Sequence, residues 1–147
     1  MKSPEQLLFD AFPGEWSLSR TIPGIGAATG TAWFVPVGPA QLRYLEEGSF
    51  VPARGPATRI RQEHLYSLEP EGIRVATALG RTLHRLRLRA PGADPWPLDA
   101  TDVHECVADT YTGRYRFESE RRFTVTMRVR GPRKDYLIRS TLERGGA

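Results

Sequence analysis

From Trp16 onward the chain alternates apolar and polar side chains, the pattern of half-buried β-strands rather than helices. Trp16, Leu18, Arg20 and Ile22 fall in one phase, as do Gly30, Ala32 and Phe34, and then Leu42, Tyr44 and Glu46. Further strands are predicted over 57–67, 72–79, 81–89, 102–109, 111–118, 121–130 and 134–143. Turn chemistry separates them: Gly55-Pro56, Glu69-Pro70-Glu71-Gly72, Leu79-Gly80 and Gly131-Pro132. Only the opening segment differs. Over 3–12, Ser3 suits an N-cap, Pro4 the first helical position and Gln6 a capping box. Leu7, Leu8, Ala11 and Phe12 then share a helical face, and Pro13-Gly14 ends the helix. The interval 90–101, with three prolines and Trp96, reads as an ordered surface loop.

About eight to ten short strands in sequence predict an antiparallel meander, and a meander this long removes its edges by closing. The expectation is a single all-β domain over 1–147: an antiparallel up-and-down, lipocalin-like β-barrel (about 14–144) with a short N-terminal helix (about 3–12).

Alternation also sorts the barrel into interior and exterior. His84, Leu86 and Leu88 face in, opposite Arg85, Arg87 and Arg89. Phe123, Val125, Met127 and Val129 face in, with Thr124, Thr126, Arg128 and Arg130 out. Several inner positions are polar: Arg20, Glu46, His104 in phase with Cys106, and, on the phase of Leu65, Arg61 and Glu63. Charges there require partners or water. They form ion pairs such as Arg20 with Glu46, or they line a wet cavity.

Composition narrows the field. The 147 residues are 39% hydrophobic and 26% charged, ordinary for one globular domain. No apolar run reaches the roughly 18 residues of a membrane helix, and the start at Met1 lacks the apolar stretch of a secretory signal, so a cytoplasmic setting is expected. One cysteine excludes an internal disulfide and an all-cysteine zinc site. Net charge is +4, yet of 21 basic residues only Lys2 and Lys134 are lysines, and the arginines of 81–89 read as a solvated strand face. Nucleic acid is therefore not the expected partner; a small molecule is, and a homodimer stays open.

Gly14-Glu15-Trp16, opening the first strand after a short helix, resembles the Gly-x-Trp signature of lipocalin-like (calycin) barrels. In those barrels the Trp closes the floor and a basic residue of the last strand packs over it. The resemblance offers Arg139 for that place, and Lys134 second. A longer set of motifs runs through the chain: Trp16-x-Leu18-x-Arg20-x-Ile22, Tyr44-x-Glu46-x-Gly48, Gly80-Arg81-x-Leu83-His84, His104-x-Cys106-x-x-Asp109-x-Tyr111-x-Gly113, and Gly131-Pro132-x-Lys134-Asp135-Tyr136. Together these resemble a mainly bacterial family of domains of unknown function thought to be lipocalin-like. Glu63, Leu65 and Leu83 stand where that family usually carries aromatics, which bears on pocket shape. The resemblance implies a fold and carries no activity.

Candidate chemistry follows from the inner faces. A pocket floored by Trp16 and lined by Tyr44, His84, Leu86, Cys106, Met127 and Tyr136 would hold a small amphipathic or anionic molecule, its polar end near Arg20 or Lys134. The alternative is a barrel enzyme, with His84 or His104 as general base and Glu46, Cys106 or Asp109 assisting. Two lesser readings use the same residues: a metal on His84, His104 and Cys106, and haem on a single histidine. No cofactor is selected by them. Asp109, Tyr111 and Gly113 also suit a hairpin, and Lys134-Asp135 a hairpin tip or barrel rim.

Overall fold

The computed structural model describes residues 2–145; Met1 and the last two residues of the expected 1–147 domain lie outside them. One helix, α1 (Pro4–Ala11), precedes ten strands. These are β1 (Gly14–Ile22), β2 (Gly26–Gly38), β3 (Gln41–Pro52), β4 (Thr58–Glu69) and β5 (Gly72–Thr77), then β6 (Thr82–Leu86), β7 (Leu98–Cys106), β8 (Asp109–Ser119), β9 (Arg122–Gly131) and β10 (Lys134–Glu143). Each strand pairs antiparallel with its neighbour in sequence, except β6 with β7, and β1 also pairs with β10. The sheet thus runs β6-β5-β4-β3-β2-β1-β10-β9-β8-β7 and curls until β6 meets β7. That seam carries no ladder. It is stitched by a bridge in which Arg89 and Asp99 exchange both backbone hydrogen bonds at 2.8 Å. The Asp102 carboxylate adds to it by accepting from the Arg85 backbone N–H at 2.7 Å. The result is the expected all-β, nearly closed barrel.

α1 covers one end. Ser3 caps it by accepting from the Gln6 N–H at 3.1 Å, but the Gln6 side chain donates to Asp10 instead of reaching back, so the capping box is half made. The buried face is Leu8, Phe9 and Phe12 rather than the Leu7, Leu8, Ala11 and Phe12 set that the spacing predicts. Phe12 plugs the barrel floor, stacked on Phe34 with ring centroids 4.3 Å apart and edge-on to Tyr66, Phe117 and Phe123. Burial of such a side chain contributes about 1.5–3 kcal/mol, which explains why so short a helix holds its place. Trp16 sits beside it, its indole N–H donating to the Phe12 carbonyl at 2.9 Å.

Four expectations are corrected. The basic residue over Trp16 is Arg144, just past β10, with its guanidinium carbon 4.5 Å from the ring centroid. Arg139 is exposed on the outer face and Lys134 lies at the opposite end. In β4 the inner phase is Ile60, Gln62, His64 and Tyr66, because pairing sets Tyr44 against His64 and Glu46 against Gln62. Arg61 and Glu63 therefore face out, where Glu63 meets Arg43 at 2.5 Å and Arg61 meets Glu47 at 3.6 Å. The 90–101 loop is shorter than predicted, since β7 begins at Leu98 and buries Leu98 and Ala100. β6 ends at Leu86, earlier than the 81–89 span, although Leu88 stays buried on its phase. Among the described residues no helix is long and apolar enough to cross a membrane.

Candidate functional site

Above the aromatic floor the barrel is not filled. A cavity of about 590 Å³ occupies the half bounded by the β1–β2, β3–β4, β5–β6, β7–β8 and β9–β10 turns. Its walls are largely apolar, with Ile22, Phe50, Ile60, Leu83, Met127 and Ile138 among them. Small residues make the room. Ala28 lines it, and Gly30 pairs with Gly48 at a point where a Cβ on either would lie 2.1–2.2 Å from a backbone oxygen of the other strand. The two strands can approach this closely only as glycines.

The polar lining is organised in depth. At the base, Arg20 forms a fork-to-fork pair with Glu46, Nη1 to Oε1 at 2.7 Å and Nη2 to Oε2 at 3.0 Å. Its Nε donates to the Ser140 hydroxyl at 2.8 Å, and the Tyr44 hydroxyl donates to Glu46 Oε2 at 2.5 Å. Glu46 is 1% exposed, a burial that a carboxylate tolerates only with such partners. Burial opposes the charge on Arg20, but Glu46 outweighs it and holds the guanidinium above its usual pKa. Tyr44 is pushed well above the ordinary phenol range by burial and then by the Glu46 charge. The two charges of the cluster match, and both Glu46 oxygens are engaged.

All three histidines of the chain and its one cysteine also line this cavity. His64 stacks face to face with Tyr44, centroids 5.9 Å apart, and burial lowers its pKa. His84, 2% exposed, has Nδ1 2.9 Å from the Tyr115 hydroxyl, while its Nε2 completes no hydrogen bond with the protein. Burial pushes its pKa down, partly offset by the Tyr111 backbone and the Asp102 charge. The ring rests on Gly113, where an added Cβ would come within 2.6 Å of it. His104 and Cys106 share the inner face of β7, and Tyr111 lines the wall beside them, its ring centroid 6.2 Å from that of His104.

Of the residues singled out in the sequence, the fold brings Arg20, Tyr44, Glu46, His84, His104, Cys106, Tyr111 and Met127 to one cavity. Trp16 lies beneath it in the floor. Lys134 and Asp109 pair with each other at 3.1 Å on the rim, and Tyr136, half-buried on β10, is outside the cavity lining. Leu86 is buried in the floor core. His64 and Gln62 are the lining residues that the phase assignment of β4 concealed. The apolar run Ile60, Tyr66, Leu68 on their phase is the signal that would have placed them inside. Among the described residues no three His, Cys, Asp or Glu side chains gather closely enough for a metal ion, so His84, His104 and Cys106 do not form the three-ligand site considered above. The arginine stripe of 81–89 is partly neutralised, Arg85 pairing with Glu69 at 2.5 Å.

A nearly closed antiparallel barrel with a plugged floor and a mixed, polar-based internal cavity is the class these features define. Within it, the chain belongs to a family of unknown function, DUF6314, whose pattern matches residues 12–144. No match is found among curated proteins. Solved structures with the same fold include the S-type phycobiliprotein lyase CPES from Guillardia theta, with TM-score 0.63, 10% identity, and coverage of 97% of this chain and 93% of that one. The barrel EF1p2_mFAP2b bound to DFHBI matches with TM-score 0.54 and 15% identity over 98% of this chain and 100% of the other. The redesigned barrel mFAP1 bound to DFHBI gives 0.51 and 16% over 97% and 100%.

Proposed function

We propose that this protein binds a small amphipathic molecule inside its barrel. The observation that carries the reading is the cavity itself. A chain able to fill its lower half with Phe12, Trp16, Phe34, Phe117 and Phe123 leaves about 590 Å³ open above them, within the range of small-molecule sites. Apolar walls with a few fixed polar groups are the usual composition of such sites. Two barrels of the same fold have DFHBI bound, which supports the fold's capacity to hold a small ligand. The charge of Arg20 is matched by Glu46, which supports a neutral rather than an anionic buried end for the ligand.

The test is titration with a neutral solvatochromic dye, 6-propionyl-2-dimethylaminonaphthalene. Saturable one-to-one binding with blue-shifted emission is expected. Emission that only grows with dye concentration, without saturation, contradicts the reading.

The enzymatic alternative keeps one supporting observation: His104, Cys106 and Tyr111 line the upper wall, and His104 and Cys106 sit two positions apart on one strand face. Glu46 is unsuited to act as a free base there, both its oxygens being held by Arg20 and Tyr44. A turnover that is found and is then lost in His104→Ala, with binding retained, would favour this reading.

A further inference from the structure

We propose that the open end of the barrel docks on an anionic lipid surface. The inference goes beyond interior binding and does not require it.

Five connections ring that end, at 23–25, 53–57, 78–81, 107–108 and 132–133. Every residue in them is glycine, alanine, proline, a larger aliphatic or arginine. Turns ordinarily draw on Asn, Asp and Ser as well, and these five connections contain none of the three. Their tips are apolar and turned to water: Leu79 and Val107 are fully exposed, and Ile25 is 44% exposed. Val107 holds a φ of 55°, a left-handed conformation that suits Gly or Asn and disfavours a β-branched side chain. Neither burial nor turn geometry accounts for a valine at this point.

Charge gives the sign of the partner. The five connections carry Arg54, Arg81 and Arg133, all exposed, and no carboxylate. In the adjoining strands Asp109 is matched by Lys134 at 3.1 Å and Asp135 by Arg128 at 2.7 Å. Behind the rim, exposed Glu105 and Arg59 offset each other in net charge. The floor end differs. There 70–71, 87–97 and 120–121 set Glu71, Asp94 and Glu120 against Arg87, Arg89 and Arg121.

Apolar tips with arginines between them fit a phospholipid interface. The tips enter the acyl boundary while the guanidinium groups meet the phosphates. A second copy set rim to rim would oppose arginine to arginine. Nucleic acid would engage the arginines and leave Leu79 and Val107 in water. The lining residues Ile22, Phe50, Thr77, Arg81 and Cys106 lie at or near these connections, so docking sets the cavity's open end against the lipid.

The test is flotation of dye-free protein with vesicles of phosphatidylcholine alone, or carrying about 30% phosphatidylglycerol, at low ionic strength. The wild type is expected to float with the anionic vesicles and to stay behind with the neutral ones. Leu79→Asn combined with Val107→Asn leaves the charge unchanged and introduces a turn-forming residue. Its melting curve should match the wild type while its partitioning falls about tenfold or more. Arg54→Gln, Arg81→Gln and Arg133→Gln together should lower partitioning about a hundredfold. Val35→Asn, exposed on β2 near the floor, should leave it unchanged. The proposal is overturned by a wild type that does not float, by equal flotation with both vesicles, or by full partitioning of the Leu79→Asn/Val107→Asn protein. A comparable loss in Val35→Asn would also overturn it, as would a dimer in sedimentation that the paired variant dissolves, which gives the rim to a second copy. Because no dye is present, each of these results leaves the interior site standing.

Discussion

Arg20 and Glu46 are 26 positions apart in the chain and meet through two parallel hydrogen bonds of 2.7 and 3.0 Å at the base of the cavity. Their geometry turns what could have been a charged pocket into a neutral one, and it fixes how β1 and β3 face each other across β2. Removing one partner leaves the other uncompensated in a buried place, which typically costs about 3–5 kcal/mol. Glu46→Gln should therefore lower stability by about that amount in urea titrations. The double change Arg20→Met with Glu46→Leu should recover most of the loss. A single variant with wild-type stability would show that the pair is hydrated and of small weight.

At the other end of the barrel, Arg144 stacks on Trp16 and donates to the carbonyls of Ala11 and Pro13, tying the end of α1 to the last strand. Arg144→Ala should destabilise by about 1–3 kcal/mol, since it strips a cation from the indole face and donors from two carbonyls. Arg139→Ala, on the exposed face of β10, should stay within about 0.5 kcal/mol of wild type. Thermal unfolding followed by tryptophan fluorescence compares them directly. Equal losses would remove the special role given to Arg144.

Acidification should loosen the fold through its buried histidines. In the folded state burial, above all, holds the pKa values of His64 and His84 below the ordinary imidazole value of about 6.5. The unfolded chain then binds more protons than the native one as pH falls past about 6.5, so stability drops from there down through the lower folded values. The loss should flatten once both rings are protonated in both states. Chemical denaturation between pH 7.5 and 5 on wild type and on His64→Gln measures the slope, which the substitution should reduce. A stability that rises on acidification over this window would reverse the sign argued here.

The close approach of β2 and β3 depends on glycine at Gly30 and Gly48. Gly30→Ala would drive its Cβ onto the Glu47 carbonyl and should cost about 1–3 kcal/mol by overpacking. Gly92→Ala, in the open 87–97 connection where nothing lies within 4 Å, should be close to neutral. Parallel melting curves would show the difference, and matching curves would mean that the strands separate freely at Gly30.

Much of this arrangement is legible in the alternation of side chains. The inward set Leu42, Tyr44 and Glu46 and the inward set His84, Leu86 and Leu88 follow from phase alone, and a long antiparallel meander has little choice but to curl. β4 is where phase misleads. Both of its faces carry apolar residues, Leu65 on one and Ile60 and Tyr66 on the other, and only pairing with β3 decides that His64 rather than Glu63 points inward. Arg144 escapes for a different reason, because it follows the last strand and reaches Trp16 through the fold's closure rather than through periodicity. The size of the cavity is equally beyond alternation, which says which side chains face each other and nothing of how far apart they stand.

The most direct measurement places the ligand inside. Ala28 is buried in the cavity wall, 2% exposed, directly across from Arg20 on β1, so Ala28→Trp fills the space above the floor. Titrated with 6-propionyl-2-dimethylaminonaphthalene, the wild type should saturate, whereas a folded Ala28→Trp protein should lose at least tenfold in affinity. Undiminished binding in that variant would put the dye on the outer surface and contradict an interior site.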